Sequence, residues 1–217
     1  MNNSMKHDSI VAREGYPFII SSLFVTVFFA FFGVAFLFVF FALITLFIVW
    51  FFRNPERHFL EEEKIVISPA DGKVIKIEDV EMKSTIAGKF KKISIFMNVF
   101  NVHVNRAPYA GKIEAINYHA GKFVSANLDK ASSDNERNEI MISADNGCSI
   151  WAVQIAGLIA RRIVCWVKVG DNVKKGERIG LIRFGSRVDV YLPEKSRIIV
   201  EIGAKVKAGS TPLGYLP

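Results

Sequence analysis

Cysteine is scarce in this chain, and the patterns the chain lacks exclude several classes of site. Cys148 and Cys165 are its two cysteines, and neither lies in a CxxC pair or at metal-ligand spacing. We therefore interpret both as buried apolar residues in a reducing compartment, and the sequence predicts no metal site. The chain also has no P-loop, HExxH, Rossmann or GxSxG pattern, so the common nucleotide, metalloprotease and α/β-hydrolase signatures are missing.

Charge is absent from one long stretch. Residues 15–52 contain no Asp, Glu, Lys or Arg, and residues 17–52 are mostly Phe, Leu, Ile, Val and Ala. The sequence predicts an N-terminal tail over 1–16 and a membrane anchor over 17–52. As a single helix the anchor would be about 54 Å long, against a hydrocarbon core of about 30 Å. It is also too long for a signal-peptide core.

Two arrangements of this anchor fit: a hairpin of two short helices turning near Gly33, or one long tilted helix. We favour the hairpin because it leaves the cations of both flanks, Lys6 and Arg13 before it and Arg53 and Arg57 after it, on one side of the membrane, as the positive-inside rule prefers. That arrangement predicts an inner-membrane protein whose remaining domain, residues 53–217, faces the cytoplasm.

The full net charge of +7 falls in residues 53–217, because the first 52 residues carry two cations and two acids. A basic domain tethered to a bilayer predicts attraction to anionic lipid headgroups. No Lys/Arg run with interleaved aromatic residues is present, so nucleic acid is not an expected partner.

Short β-branched runs separated by Gly, Asn, Asp and Pro follow one another at intervals of about 8–12 residues in this domain. This spacing predicts a mainly β fold, a barrel or sandwich of short antiparallel strands. Two internal echoes accompany it. "SPADGKV" (68–74) resembles "APYAGKI" (107–113), and "GDNVKKGERIG" (170–180) resembles "GAKVKAGSTPLG" (203–214). The second pair shares G-x-x-V-K-x-G, a turn typical of lipoyl-like β-sandwiches.

Two Gly-Ser pairs are candidates for chemistry. The echo gives Gly209-Ser210 a turn to form, since Gly209 takes the place of Gly176. Gly185-Ser186 has no such explanation, because it interrupts an apolar run that otherwise predicts a strand. An isolated Gly in a strand marks a bulge or a close backbone approach, where strained chemistry can be housed.

Partners for Ser186 are sought among His and Asp residues. Two of the four histidines, His103 and His119, lie in the β region and are candidate general bases. Asp71 lies in a Pro-x-Asp-Gly turn between apolar runs. On the residues alone, turn formation explains Asp71 as well as catalysis does.

The motifs "SPADG", "NVHVNRAP", "YHAGKF", "DNERN", "GLIARRIVCWV" and "RFGSRVDVYLP" follow an N-terminal apolar segment. With these motifs the chain resembles the short form of the phosphatidylserine decarboxylase proenzymes, from about residue 12 to the C-terminus. The resemblance implies a lyase that decarboxylates phosphatidylserine to phosphatidylethanolamine. It implies a pyruvoyl group made from Ser186, with no pyridoxal phosphate and no metal.

The resemblance also implies that the proenzyme cleaves itself between Gly185 and Ser186. The products are a β chain (1–185) and an α chain (186–217) that stay together as a heterodimer, with further oligomerisation left open. Asp71 and His103 match the residues that activate the serine in the family. The chain departs from longer relatives in having Arg106 where those carry a second histidine, so His103 serves processing, decarboxylation or both.

Three alternatives stay open on the sequence. An archaetidylserine decarboxylase would use the same chemistry on another lipid backbone. A membrane-tethered lipoyl-like adaptor without catalysis would explain the anchor and the glycine turns and would remain one intact chain. A conventional serine hydrolase would keep Ser186 as an intact alcohol.

Overall fold

The computed structural model describes residues 9–58, 61–82, 88–121, 134–157, 162–183 and 186–217. The chain divides into two compact units, residues Met1–Glu56 and Arg57–Pro217. The first is helical and the second is built of β-strands, so the mainly β fold with an apolar helical segment before it is confirmed.

The first unit contains a short 3-10 turn (Arg13–Gly15) and two helices, α1 (Tyr16–Phe31) and α2 (Ala35–Phe51), with the chain reversing around Gly33. The helices pack against each other, and the hydroxyls of Ser22 and Thr26 pair with that of Thr45 across the contact. Ser22 Oγ lies 2.7 Å from Thr45 Oγ1. Pairing hydroxyls in this way is what an apolar environment requires.

Large apolar side chains cover the outer surface of both helices. One helical stretch, Arg13–Phe31, is long and apolar enough to cross a membrane, whereas Ala35–Phe51 is shorter. An apolar helix of this kind could anchor the chain to a bilayer. The predicted bounds and topology of the anchor stay a prediction.

The described residues of the second unit form fourteen strands: β1 Ile65–Ile67, β2 Gly72–Met82, β3 Gly88–Met97, β4 Val104–Arg106, β5 Gly111–His119, β6 Arg137–Ser143, β7 Ser149–Ala156, β8 Ile163–Cys165, β9 Asn172–Val173, β10 Arg178–Ile182, β11 Ser186–Pro193, β12 Arg197–Ile198, β13 Lys205–Val206 and β14 Pro212–Tyr215. An eight-stranded antiparallel sheet, in the order β13-β2-β3-β11-β7-β6-β5-β9, curls into a half-barrel. Two three-stranded sheets, β1-β14-β12 and β4-β10-β8, complete the unit.

The unit consists of two halves with the same strand pairing. In the first half the pairs follow the orders β1-β14-β12 and β13-β2-β3-β11. In the second they follow β4-β10-β8 and β9-β5-β6-β7. The halves join where β11 pairs with β7. They are also joined by a reciprocal pair of backbone bonds, from Ile67 N–H to Pro108 O (3.0 Å) and from Arg106 N–H to Pro69 O (2.9 Å).

The sequence echoes are this structural repeat. The two matching turns end in Gly176 and Gly209, whose φ angles are +77° and +72°. Their N–H groups donate to Ala107 O and Ser68 O at 2.9 and 2.8 Å. Left-handed backbone of this kind favours glycine, so the Gly209-Ser210 pair forms a turn, as predicted.

One main apolar cluster lies between the eight-stranded sheet and the small sheets. Strands β3, β7 and β11 contribute alternate residues to it, including Ile95, Ile150 and Val188, all fully buried. The opposite face of the same sheet carries a second cluster around Trp151. Residues that alternate along β11 therefore enter two different environments.

Candidate active site

Ser186 begins the central strand of the eight-stranded sheet. It lies opposite Met97 of β3 and Ala156 of β7, and its side chain is fully buried. Among the described residues its Oγ has no hydrogen-bond partner. A buried hydroxyl without a partner is costly and uncommon, and it marks a position to be explained by chemistry. Gly185, the other residue of the predicted cleavage site, lies outside the described residues.

Alternation along β11 places Ser186 on the face of Val188 and Val190, in the main core. Arg187 lies on the other face with Asp189. Their side chains form an ion pair with Nε–Oδ1 and Nη2–Oδ2 distances of 2.9 and 3.1 Å, and both are almost completely buried. The residue next to Ser186 is therefore fixed by a buried charge pair.

His103 lies at the end of the loop between β3 and β4 and is fully buried. Its Nδ1 lies 3.0 Å from Asn101 O. Because a carbonyl can only accept, Nδ1 carries the proton, and the neutral ring then keeps its lone pair on Nε2. A histidine in this tautomer can accept a proton at Nε2.

The strand pairing brings His103 and Ser186 to the same end of the core. β4 pairs with β10, and His103 O accepts a bond of 3.3 Å from Ile182 N–H at the end of β10. The chain then reaches Ser186 four residues later. Met97, the partner of Ser186 in β3, begins the loop that leads to His103.

Asp71 lies in the turn between β1 and β2 and is largely buried. Its carboxylate accepts bonds from Arg57 Nη2 (3.0 and 3.3 Å) and from Ala208 N–H (2.8 Å). In the part of the chain that the structure describes, it forms no hydrogen bond with His103. Arg57, which the sequence suggested as a flanking cation of the anchor, is an ion-pair partner within the β unit.

Arg106, which the resemblance implies to stand in place of a second histidine, is the last residue of β4. It is buried, and its Nη1 donates 2.8 Å to Gly176 O, in the turn that repeats at Gly209. Its side chain also lies against Gly209, where an added Cβ would come within 2.6 Å of Arg106 Cδ. These contacts give Arg106 a role in holding the two glycine turns.

A chain of buried amides beneath this site was not predicted. Asn138 Nδ2 donates to Gln154 Oε1 (3.0 Å), and Gln154 Nε2 donates to Asn105 Oδ1 (2.9 Å). Asn105 also contacts Met97 Sδ at 3.7 Å. The available signal was the single amide in the apolar run "SIWAVQIA", because a polar side chain in a core strand needs a buried partner.

Asn135 of the "DNERN" motif is a further residue near Ser186. It is fully buried, and its Nδ2 donates 2.7 Å to Ala156 O. Ala156 is the residue opposite Ser186 in β7. Asn135 therefore fixes the backbone that faces the serine.

His119 does not share this site. It is half-exposed, and its Nε2 lies 3.5 Å from Glu139 Oε1. In the sheet His119 lies opposite Arg137, and Arg137 lies opposite Ile155. Ile155 is the residue next to Ala156, which lies opposite Ser186. Alternation therefore directs His119 to the face opposite Ser186.

Burial raises the pKa values of Tyr191 and of Cys165 in the β unit. The pKa of Tyr191 is raised well above 10 by burial and by the nearby charge of Asp189. Burial also raises the pKa of the Cys165 thiol. Both cysteines are free and half-buried, so they are less enclosed than the sequence suggested.

Comparison with known proteins assigns the chain to a family. The family model described as phosphatidylserine decarboxylase matches residues 44–214. A protein of Syntrophus aciditrophicus called phosphatidylserine decarboxylase proenzyme is 56% identical over 211 residues, 97% of this chain and 99% of the relative. Relatives with the same name from Desulfotalea psychrophila and Geotalea uraniireducens are 50% and 47% identical, over 95% of this chain and 96% and 97% of their own.

Proposed function

Because the chain belongs to the phosphatidylserine decarboxylase family of carboxy-lyases, we propose that it converts phosphatidylserine to phosphatidylethanolamine after cutting itself between Gly185 and Ser186. One observation carries the proposal: Ser186 has a fully buried hydroxyl without a partner among the described residues, at the first position of a central strand. Alanine at this position would avoid the free-energy cost of burying an unpaired hydroxyl, so the stability of the fold does not explain why the residue is a serine.

The self-cleavage uses atoms of this chain. Ser186 Oγ attacks the Gly185 carbonyl carbon, the peptide C–N bond breaks, and an ester joins the two residues. β-Elimination then releases Gly185 as a carboxylate and leaves a dehydroalanine, which water converts to a pyruvoyl group and ammonia. The surroundings of Ser186 fit this product. Oγ leaves as part of the Gly185 carboxylate and Cβ becomes a methyl group, which needs no hydrogen-bond partner where the hydroxyl has none among the described residues.

A pyruvoyl group at residue 186 supplies a carbonyl that accepts the electrons released when CO₂ leaves an amino acid headgroup. The protein contributes the dry surroundings and the proton transfers. In our proposal His103 Nε2 takes the proton from Ser186 Oγ during processing and later returns a proton to the headgroup carbon. The Nδ1 bond to Asn101 O supports this role because it fixes the required tautomer.

The role of Asp71 in activating the serine stays a prediction. Its carboxylate is bonded to Arg57 and Ala208 N–H. The loop that carries it is joined to β4 through Arg106 N–H and Pro69 O. We propose that Asp71 supports processing by fixing this loop, and that the family's Asp-His-Ser arrangement acts here through that support.

The sheet would hold the two products together. β11 pairs along its length with β3 and along most of it with β7, both of which stay in the β chain. The α chain also contributes β13 and β14, which pair with β2 and β1. We therefore propose a tight α–β heterodimer.

The substrate and location follow from the same proposal. The net charge of +7 favours an anionic lipid surface, and the apolar helices would keep the site at the inner membrane with the β unit in the cytoplasm. An assay with phosphatidylserine and archaetidylserine side by side decides which lipid backbone is used.

Intact mass of the purified full chain tests the cleavage. We expect two species, residues 1–185 and residues 186–217, the second with a blocked N-terminus. Ser186→Ala should remain one inactive chain, whereas Ser210→Ala should process normally because that serine belongs to a turn. An active wild-type protein of a single uncut mass would refute the proposal.

A further inference from the structure

The loop between β3 and β4 carries an apolar tip, Val99 and Phe100, in which Phe100 is exposed and Val99 is partly buried. Phe100 is 63% exposed, although Val102 and His103, just after it, are buried. The same loop begins after Met97, which lies opposite Ser186. The tip is therefore close in sequence to His103 and to Met97, the residue that pairs with Ser186.

Two asparagines hold the tip in place. Asn101 Oδ1 accepts a bond of 2.9 Å from Asn98 N–H, and Asn98 Oδ1 accepts one of 2.9 Å from Phe100 N–H. Asn101 N–H also donates 3.0 Å to Asn98 O. A turn fixed by three bonds presents Phe100 to solvent in a defined way, since flanking side chains bond the backbone of the tip.

The internal repeat supplies a comparison for this tip. The segment before β4 corresponds to the segment before β1. The spacing that relates "SPADGKV" (68–74) to "APYAGKI" (107–113) also relates Glu61 to Phe100. There the chain reads Glu61-Glu62-Glu63, which borders a cleft of about 480 Å³ together with Lys64, Lys175, Asp145 and other residues. Because the same fold accepts a charged tip in one half, the apolar tip at the other end is not required by the strand architecture.

We propose that the Val99–Phe100 tip inserts into the interfacial region of a lipid bilayer, so that the site beside it meets headgroups while the acidic end faces water. This inference rests on the proposed function, because a bilayer is where the substrate would lie. The tip carries no charge, and inserting Phe100 removes apolar area from water. Carboxylates at the opposite end are repelled by an anionic surface.

Tryptophan quenching tests insertion directly. The full chain is reconstituted in vesicles of phosphatidylcholine and phosphatidylserine containing lipids brominated near the headgroup end of the acyl chain. Relative to the wild-type background, the added fluorescence of Phe100→Trp should be strongly quenched, and that of Glu61→Trp at the matching position should not. Equal quenching at the two positions would overturn the proposal.

Activity supplies a second measurement. Rates are compared on bilayer phosphatidylserine and on dihexanoyl phosphatidylserine below its micelle concentration. Phe100→Ser should lower the ratio of bilayer to monomer rate about tenfold, as expected for losing part of a buried phenyl group. Phe100→Leu should recover most of the ratio. The control is Val169→Ser, because Val169 is 60% exposed on the turn before edge strand β9.

The outcomes separate this inference from the function beneath it. A wild-type chain that neither cuts itself nor decarboxylates either substrate defeats the proposed function. A wild-type chain that does both, with Phe100→Ser and Val169→Ser giving the same ratio, defeats insertion alone.

Discussion

Removing the charge of Asp189 tests how the new end of the α chain is held. Arg187 and Asp189 have side chains only 2% and 0% exposed, and Arg187 directly follows Ser186, the residue at the proposed cleavage position. Breaking a buried ion pair by neutralising one partner costs about 3–5 kcal/mol, because the other charge stays buried. In a chain of this size 1 kcal/mol shifts Tm by about 2–4 °C. Asp189→Asn should therefore lower Tm by about 6–20 °C.

The measurement is thermal unfolding of the full chain in detergent micelles, followed by tryptophan fluorescence. It is made on the cleaved protein and on the uncut Ser186→Ala background. The drop should be larger in the cleaved protein, because there β11 begins at a chain end and has lost its covalent link to β10.

Two controls accompany this variant. Replacing the pair together, as Arg187→Met with Asp189→Leu, should leave Tm near the wild-type value, since an apolar pair carries no desolvation cost. Glu78→Gln breaks the partly exposed contacts with Lys76 and Lys92 on the same sheet and should cost less than about 1 kcal/mol. If Asp189→Asn lowers Tm no more than Glu78→Gln, the reasoning from burial is wrong.

Two further predictions follow from the repeat and from burial. Gly72→Ala and Gly111→Ala, at matching positions of the two halves, each bring a methyl group against a carbonyl oxygen, of Phe96 and of Ser143 respectively. Each substitution should lower the free energy of unfolding by a similar amount, about 1–3 kcal/mol. A Tm drop in only one of the two variants would contradict the equivalence of the halves. The raised pKa of Tyr191 means that its neutral form stabilises the fold below pH 10 and that this contribution is lost as pH rises further. Absorbance at 295 nm, which reports ionised tyrosine, should be the same in the wild type and in Tyr191→Phe up to about pH 10. A difference between the two proteins at lower pH would refute the burial of Tyr191.

The sequence was sufficient for features set by local chemistry. The spacing of apolar runs predicted an antiparallel β unit, and the shared G-x-x-V-K-x-G pattern predicted the turns at Gly176 and Gly209. Both depend on residues close together in the chain, where strand alternation and left-handed turns leave a direct signature. The same logic separated Ser186 from Ser210.

Other features depend on which strands become neighbours, and single-sequence patterns do not specify that. The bond from Gln154 to Asn105 joins residues far apart in the chain, as does the bond from Ala208 N–H to Asp71. Arg57 likewise pairs with Asp71, although its position after the apolar segment suggested a membrane flank. Tertiary pairing decides these contacts, so they emerged only from the fold.

The repeat explains why the candidate site lies at one end of the β unit and not at the other. The chain crosses from the first half to the second between β3 and β4, and it returns between β10 and β11. His103 lies in the first crossing, and Ser186 ends the second. At the opposite end the corresponding positions are the entry to β1 and the short turn between β6 and β7.

Cutting the return crossing breaks no strand pairing within either half, because the pairing of β11 with β3 and β7 begins at Ser186. A crossing between two self-consistent halves is therefore the connection that this fold can lose while keeping its sheets, and the proposed cleavage falls there.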